Sequence, residues 1–382
     1  MEAKEEEKIR RETVERAKTV VVKVGSSTIT HRTGKLNLER MEKLVRQLAD
    51  LHHEGRRVLL VTSGAVGAGM GKLGLTRRPR TMPEKQACAA VGQGILMHMY
   101  EKLFAEYGIV VAQVLLTRDD FSSRPRFLNA RHALHTLLQM GVIPIVNEND
   151  TVATEEIRLG DNDTLSAMVA ALVEADLLLL LSDIDGLYTA NPRQDKTAQL
   201  IEFVREITPE LERSAGGAGS QLGTGGMVTK LQAARIATSS GVAMVIANGS
   251  RENVIRTIMR GEKIGTFFLP RETPLQMRKK WLAFGAALQG ELVVDEGAEK
   301  ALVEKGKSLL PSGIVEVRGE FEAGTPVRIV NRQGRELARG IVNYRADEIR
   351  KIMGKKTAEI PRVLGYKDYD EVVHRNNMVL SC

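Results

Sequence analysis

The chain has 382 residues, 43% of them hydrophobic, 27% charged and 4% aromatic, with two cysteines (Cys88 and Cys382) and a formal net charge of +7. That apolar content excludes a disordered chain, the length exceeds what one core usually organises, and two cysteines exclude a disulfide framework, so two domains in a reducing, cytoplasmic setting are expected. No run approaches 18 consecutive apolar residues, which excludes a membrane-spanning helix, while the positive balance raises a polyanionic partner.

Residues 1–18 are dense in Glu, Lys and Arg of both signs. They fit neither a secretory signal nor a transit peptide and read as a solvated helical extension. Val20–Val24 opens a series of unbroken apolar runs, which suggests strands covered on both faces, as in parallel sheets. The turn after it, Lys23-Val24-Gly25-Ser26-Ser27, suits either a phosphate or a tight turn beside a snorkelling lysine. Leu38, Met41, Val45 and Leu48 then mark a helix, with Asn37 as N-cap.

Val58–Val61 is the second run, followed by Thr62-Ser63-Gly64-Ala65-Val66-Gly67-Ala68-Gly69. Small residues there admit a ligand or a neighbouring helix. Gly69–Gly74 formally fits G-x-G-x-x-G, but it starts well beyond the strand and lacks the acid about 20 residues on, which argues against a dinucleotide site. A Walker loop fails because Leu73 follows Lys72. A helical stripe at Val91, Ile95, Met99 and Leu103 precedes the runs Ile109–Val114 and Val142–Val146, the latter interrupted by Pro144.

Two polar clusters follow, Asn147-Glu148-Asn149-Asp150 and Gly160-Asp161-Asn162-Asp163. They suit an amino or amide group, a metal or a pair of lysines, and the EF-hand pattern is absent. Leu177–Leu181 leads into Ser182-Asp183-Ile184-Asp185, acids placed either to border a nucleotide or to cap a turn. Gly223-Thr224-Gly225-Gly226-Met227-Val228-Thr229-Lys230 opens a helix. Its glycines and helix N-terminus make it the strongest phosphate-binding candidate. The last run is Val242–Ile246.

Composition changes near 270–281, where Pro270, Pro274 and Arg278-Lys279-Lys280 precede short β-rich pieces at Ile314–Val317, Val327–Val330 and Gly340–Tyr344. The alternation before this point predicts a three-layer α/β/α sandwich with a mainly parallel central sheet, followed by a small β-rich domain. Two lysines, glycine-rich donors and Asn/Asp clusters, without a Ser-His-Asp or Cys-His set, suggest phosphoryl transfer, which needs no protein nucleophile.

The segments around Lys23, Ser63, Asn147–Asp150, Gly160–Asp163 and Gly223–Met227, in this order, resemble the amino acid kinase family, and residues 289–366 resemble a PUA domain. The resemblance implies ATP-dependent phosphorylation of the side-chain carboxylate of L-glutamate to L-glutamyl 5-phosphate, the first step of proline biosynthesis, with Mg²⁺. It divides the chain into the extension 1–18, a catalytic domain 19–275, a linker 276–288, the PUA-like domain 289–366 and a tail 367–382. It implies that Lys23 and Lys230 contact the transferred phosphoryl group with Asp163 as their organiser. Ser63, Asp150 and Asn162 would hold glutamate. Ser182 and Asp183 would lie along the nucleotide, and Thr224, Gly225, Gly226, Met227, Val228, Thr229 and Lys230 would cradle its phosphates. No protein ligand to the metal is assigned. Val228 departs from the family, where a hydroxyl residue is common.

Implied partners are L-proline as feedback inhibitor, glutamyl phosphate reductase as recipient of the labile product, and further copies of the chain in a dimer or tetramer. The rival readings are a kinase for another acid, such as aspartate or N-acetylglutamate, and RNA binding through the C-terminal domain. Charge speaks weakly for RNA: residues 290–382 hold sixteen Lys and Arg against fifteen Asp and Glu. Stacking aromatics are scarce in the more basic stretch 328–356, where Tyr344 stands alone.

Overall fold

The computed structural model describes residues 2–31, 33–153, 162–190, 192, 195–215, 226–271, 282 and 286–381. The chain forms two compact units, residues 1–120 with 128–275, and residues 276–382 with 121–127.

The apolar runs of the first unit become β1 (Thr19–Val24), β2 (Arg57–Thr62), β3 (Val111–Leu116), β4 (Ile143–Glu148), β5 (Leu177–Ser182), β6 (Phe203–Val204), β7 (Ala243–Asn248) and β8 (Thr266–Phe268). They lie in one sheet of order β3-β4-β2-β1-β5-β7-β8-β6, parallel except for the β7–β8 pair. All six residues of β1 and of β5 are buried, as continuous hydrophobicity requires of strands covered on both faces. The third strand starts two residues later than the Ile109–Val114 run.

Pro144 is tolerated in β4 for a local reason. The Ile143 amide donates toward β3, to the Val110 carbonyl, so the Pro144 nitrogen faces β2. Pairing with β2 begins only at Leu60 and Ile145, so no ladder donor is missed.

The helices of this unit are α1 (Glu2–Arg16), α2 (Ser26–Ile29), α3 (Leu38–His53), α4 (Ala65–Leu73), α5 (Met82–Ala105), α6 (Arg118–Ser122), α7 (Arg124–Gln139), α8 (Asn162–Leu172), α9 (Pro209–Ala215), α10 (Met227–Ser239) and α11 (Val254–Met259), α6 and α7 running through the 121–127 segment. Val20, Val22 and Val24 point from β1 into a core shared with α1, α3, α5 and α11. By strand alternation Val21 and Lys23 face the other layer, where α8 packs on β1 and α10 packs on α8. The three-layer sandwich is therefore observed. Every residue of α8 from Asp163 to Leu172 is buried, so this helix is a rigid support.

Two expectations about helix faces are corrected. Leu38 is more than half exposed although Met41, Val45 and Leu48 are buried as read, and the Asn37 side chain accepts from the Arg40 amide at 3.1 Å. In α5 the buried face is Cys88, Gly92, Leu96, Tyr100 and Phe104, one position on from the Val91 stripe. Glycine, not hydrophobicity, sets that face. A Cβ on Gly92 would lie 1.8 Å from the Ala65 carbonyl oxygen, and one on Gly69 would lie 1.8 Å from that of Cys88. Of the 69–74 glycines, Gly69 thus serves helix packing, Gly71 lies against the backbone of Gly34 and Lys35, and Gly74 caps α4 with a φ of +68°, in keeping with the rejection of a dinucleotide site. Gly92→Ala is expected to push α5 off α4 and cost about 1–3 kcal/mol, read as a lower urea midpoint; an unchanged midpoint would contradict this packing.

The N-terminal helix is charged as expected, but it is docked, not merely solvated. Val14 and Ala17 are buried, and the Arg10 guanidinium donates to the Ile264 carbonyl. Burial pulls the Arg10 pKa down to about 10, with Glu202 opposing. Arg56 adds a 2.6 Å bond to the Ala17 carbonyl.

The second unit is built on β9 (Glu291–Val294), β10 (Ile314–Arg318), β11 (Pro326–Val330), β12 (Glu336–Ile341) and β13 (Met378–Leu380), in the order β10-β9-β11-β12-β13. The strand expected at Gly340–Tyr344 instead runs Glu336–Ile341, and Tyr344 turns inward, its hydroxyl bonded to the Tyr369 carbonyl. Val372, Val373 and Met378 join the core and β13 pairs with β12, so this unit extends past residue 366. Among the described residues no helix is long and apolar enough to cross a membrane.

Candidate active site

Strands β4, β2, β1, β5 and β7 run parallel and end side by side, at Glu148, Thr62, Val24, Ser182 and Asn248. Ligands of open α/β sheets gather beyond such carboxyl ends. At the centre stands Lys23, penultimate in β1 and paired across the sheet with Val61 and Leu180. Its ammonium ion-pairs with Oδ1 of Asp163, in the first turn of α8. Lys230, in the first turn of α10, donates to Oδ2 of the same carboxylate at 2.9 Å. The Thr229 hydroxyl reaches Oδ2 at 3.4 Å.

All three charged side chains are buried. Burial alone would raise the Asp163 pKa, yet the two ammonium groups outweigh it and hold the carboxyl below its ordinary range. One fixed anion thus keeps two cations in register, and the cluster carries a net positive charge in a low-dielectric setting. Such an arrangement draws a polyphosphate and an anionic acceptor together.

The N-terminus of α10 contributes donors. Gly226 is its N-cap without a side-chain cap, half-buried beside Met227, and Thr229 bonds back to the Gly226 carbonyl at 2.8 Å. The uncapped first-turn amides add to the local positive potential. Val228 is exposed. Thr224 and Gly225 lie outside the described residues, as do Gly160 and Asp161.

Beyond β2 and β4 lies a polar cluster. The Asn162 amide nitrogen donates to Ser63 Oγ at 2.7 Å, to the Thr62 carbonyl at 2.9 Å and to Asn147 Oδ1 at 3.0 Å. Ser63 is held by its own amide, which donates to the Val24 carbonyl at 3.2 Å, and it precedes Gly64, whose φ of +104° starts α4. Asp150 lies half-buried in the turn after β4, at the same end of the sheet.

On the other side of Lys23, buried Ser182 ends β5 and donates to the exposed Asp183 at 3.2 Å. Asp185 accepts from Asn248 at 3.3 Å and meets Arg251 at 3.4 Å.

The structure therefore joins Lys23, Asp163, Thr229 and Lys230 directly, joins Ser63 to Asn162, and sets Ser182 and Asp183 on the neighbouring strand end. Sequence reading had passed over Asn147 as an individual contact, and also Gln93, which meets Asn147 from α5 at 2.9 Å. Asn147 carried a signal, as the polar residue where an apolar run stops. Gln93 carried none, being 54 positions away in a helix. Among the described residues no cluster of three or more His, Cys, Asp or Glu is placed to hold a metal, and both oxygens of Asp163 are engaged by lysines.

Family models match both parts of the chain. Residues 18–248 match the amino acid kinase family model and residues 290–364 match the PUA domain. The chain is 61% identical over 364 residues to glutamate 5-kinase of Moorella thermoacetica, covering 95% of this chain and 96% of that one. It is 60% identical over 361 residues to glutamate 5-kinase of Caldanaerobacter subterraneus subsp. tengcongensis, covering 94% and 97%. Carbamate kinase from Giardia lamblia bound to AMP-PNP aligns with 67% of this chain and 100% of its own at a TM-score of 0.48 and 17% identity.

Proposed function

We infer, from the amino acid kinase family to which this chain belongs and from its relatives, that it catalyses ATP-dependent phosphorylation of the L-glutamate side-chain carboxylate to L-glutamyl 5-phosphate, the first step of proline biosynthesis. The observation that carries the reading into chemistry is the pair of buried lysines held by Asp163.

In this reaction a carboxylate oxygen forms the new bond to the γ-phosphorus as the bond to the β–γ bridging oxygen breaks, leaving ADP. The nucleophile is already an anion, so no general base is needed. The difficulty is the approach of two anions, and here the protein works by position and charge. Lys23 and Lys230 neutralise the transferring phosphoryl group from two sides, and Asp163 fixes their spacing without touching the reactants. Ser63, Asp150 and Asn162 hold glutamate, the Asp150 carboxylate suiting its α-ammonium. Ser182 and Asp183 border the nucleotide, while Thr224 through Lys230 cradle its phosphates. A kinase using ATP implies a divalent metal, taken here as Mg²⁺ carried by the nucleotide; it supplies further charge neutralisation.

Catalysis is assigned to residues 19–275, with L-proline as feedback inhibitor, a homo-oligomeric assembly and a cytoplasmic location; the labile acyl phosphate suits direct transfer to a glutamyl phosphate reductase. The test is an acceptor panel in a coupled ADP assay with hydroxylamine as trap. ADP release should require L-glutamate, and preference for L-aspartate or N-acetyl-L-glutamate would overturn the substrate assignment.

A further inference from the structure

We propose that Gln93 is a positioning residue for the acceptor acid: through Asn147 it holds the Asn162 amide in one orientation and so leaves the Ser63 hydroxyl as a donor toward a substrate carboxylate. The inference rests on the glutamate site described above.

The polarity of this chain of amides is set at a backbone group. The Glu148 amide donates to Asn147 Oδ1 at 2.9 Å, and an N–H cannot accept. The Asn147 nitrogen must then occupy the other branch, where it donates to Gln93 Oε1 at 2.9 Å. The Asn162 group facing Asn147 Oδ1 and the Thr62 carbonyl meets two pure acceptors, so it is Nδ2; its two protons are shared among these and Ser63 Oγ, and an amide nitrogen cannot accept from the Ser63 hydroxyl. The Ser63 proton therefore turns elsewhere, and Ser63 is half-buried at the open end of β2. A carboxylate oxygen is the acceptor that a hydroxyl in this state favours.

Asn162 Oδ1 is buried without a hydrogen-bond partner among the described residues. Nδ2 faces inward although Oδ1 stays unpaired. Gln93 is the far end of the chain. Asn147 is buried, so without the Gln93 oxygen its Nδ2 is left unpaired, and only the Glu148 and Asn162 donors on Oδ1 still hold the amide in place.

Steady-state kinetics of the full chain carrying Gln93→Met or Gln93→Glu test this. Methionine keeps length and helix propensity but removes the acceptor; glutamate keeps an acceptor oxygen. The KM for L-glutamate should rise roughly tenfold in Gln93→Met while the KM for ATP stays within about twofold, and Gln93→Glu should stay within about threefold of the parent protein. If Gln93→Met does not fold, Gln93→Asn, which falls short by one methylene, is read in its place with the same expected rise. An unchanged glutamate KM, a parallel rise for ATP and glutamate, or Gln93→Glu as impaired as Gln93→Met would each overturn the proposal. Absence of glutamate turnover in the unsubstituted protein would instead remove the substrate reading, and the KM ratio is then read on the acid it does phosphorylate.

Discussion

Replacing Lys230 with alanine is expected to lower kcat roughly a thousandfold, about 4 kcal/mol of barrier, with little loss of fold. The lysine stands in the first turn of a thirteen-residue helix, so alanine preserves the helix while removing the charge, the buried stem and the 2.9 Å bond to Asp163. Asp163 keeps its ion pair with Lys23, so the remaining cluster is neutral and no buried charge is stranded. Because charge builds on the transferring group in the transition state, the loss should fall mainly on kcat, with smaller changes in KM for ATP and glutamate. A melting temperature close to that of the parent protein shows that chemistry was changed and not folding. A kcat reduced less than tenfold would mean that Lys230 stands aside from the reacting phosphoryl group.

Asp163→Asn should behave differently, destabilising the protein as well as silencing it. The amide is close in shape, but it leaves Lys23 and Lys230 buried, mutually repulsive and without a counter-ion. Removing one partner from a buried ion pair costs about 3–5 kcal/mol, and here two cations lose the same partner. Urea unfolding and turnover, measured together, should both fall. The pH dependence carries a sign. Because the native Asp163 pKa is held below its unfolded value, its contribution is fully present above about pH 4, the ordinary range for Asp, and is lost as pH falls through the lower native value. The Asn variant should lack that part of the acid transition. A variant as stable and as active as its parent would contradict the organising role.

The elements most legible in the sequence were those fixed by a local pattern. Five of the apolar runs are the five parallel strands that carry the site, because continuous burial on both faces leaves a one-dimensional trace in β1 and β5. Lys23, Asp163 and Lys230 were legible for a similar reason: each sits where a strand ends or a helix begins, and the structure gathers those termini on one edge of the sheet. What hid was tertiary. The buried face of α5 was misread by one position because two glycines, and not the larger Val91 and Ile95, decide how closely α4 approaches. Docking of α1 was invisible in a segment whose composition is nearly all charge, since Val14, Ala17 and the Arg10 bond to Ile264 supply it. Gln93 belongs with these, for its place beside Asn147 depends on the whole α4–α5 contact.

The net charge of +7 now has a local meaning as well. Two of the lysines share one aspartate at the centre of the sheet, and that pairing is the basis of the proposed chemistry. The most direct test is to count product in the presence of hydroxylamine, with ATP and L-glutamate supplied to the purified protein. The account predicts one γ-glutamyl hydroxamate for each ADP released, and neither product when glutamate is omitted. ADP released without hydroxamate, or at the same rate without glutamate, would contradict phosphoryl transfer to the glutamate carboxylate.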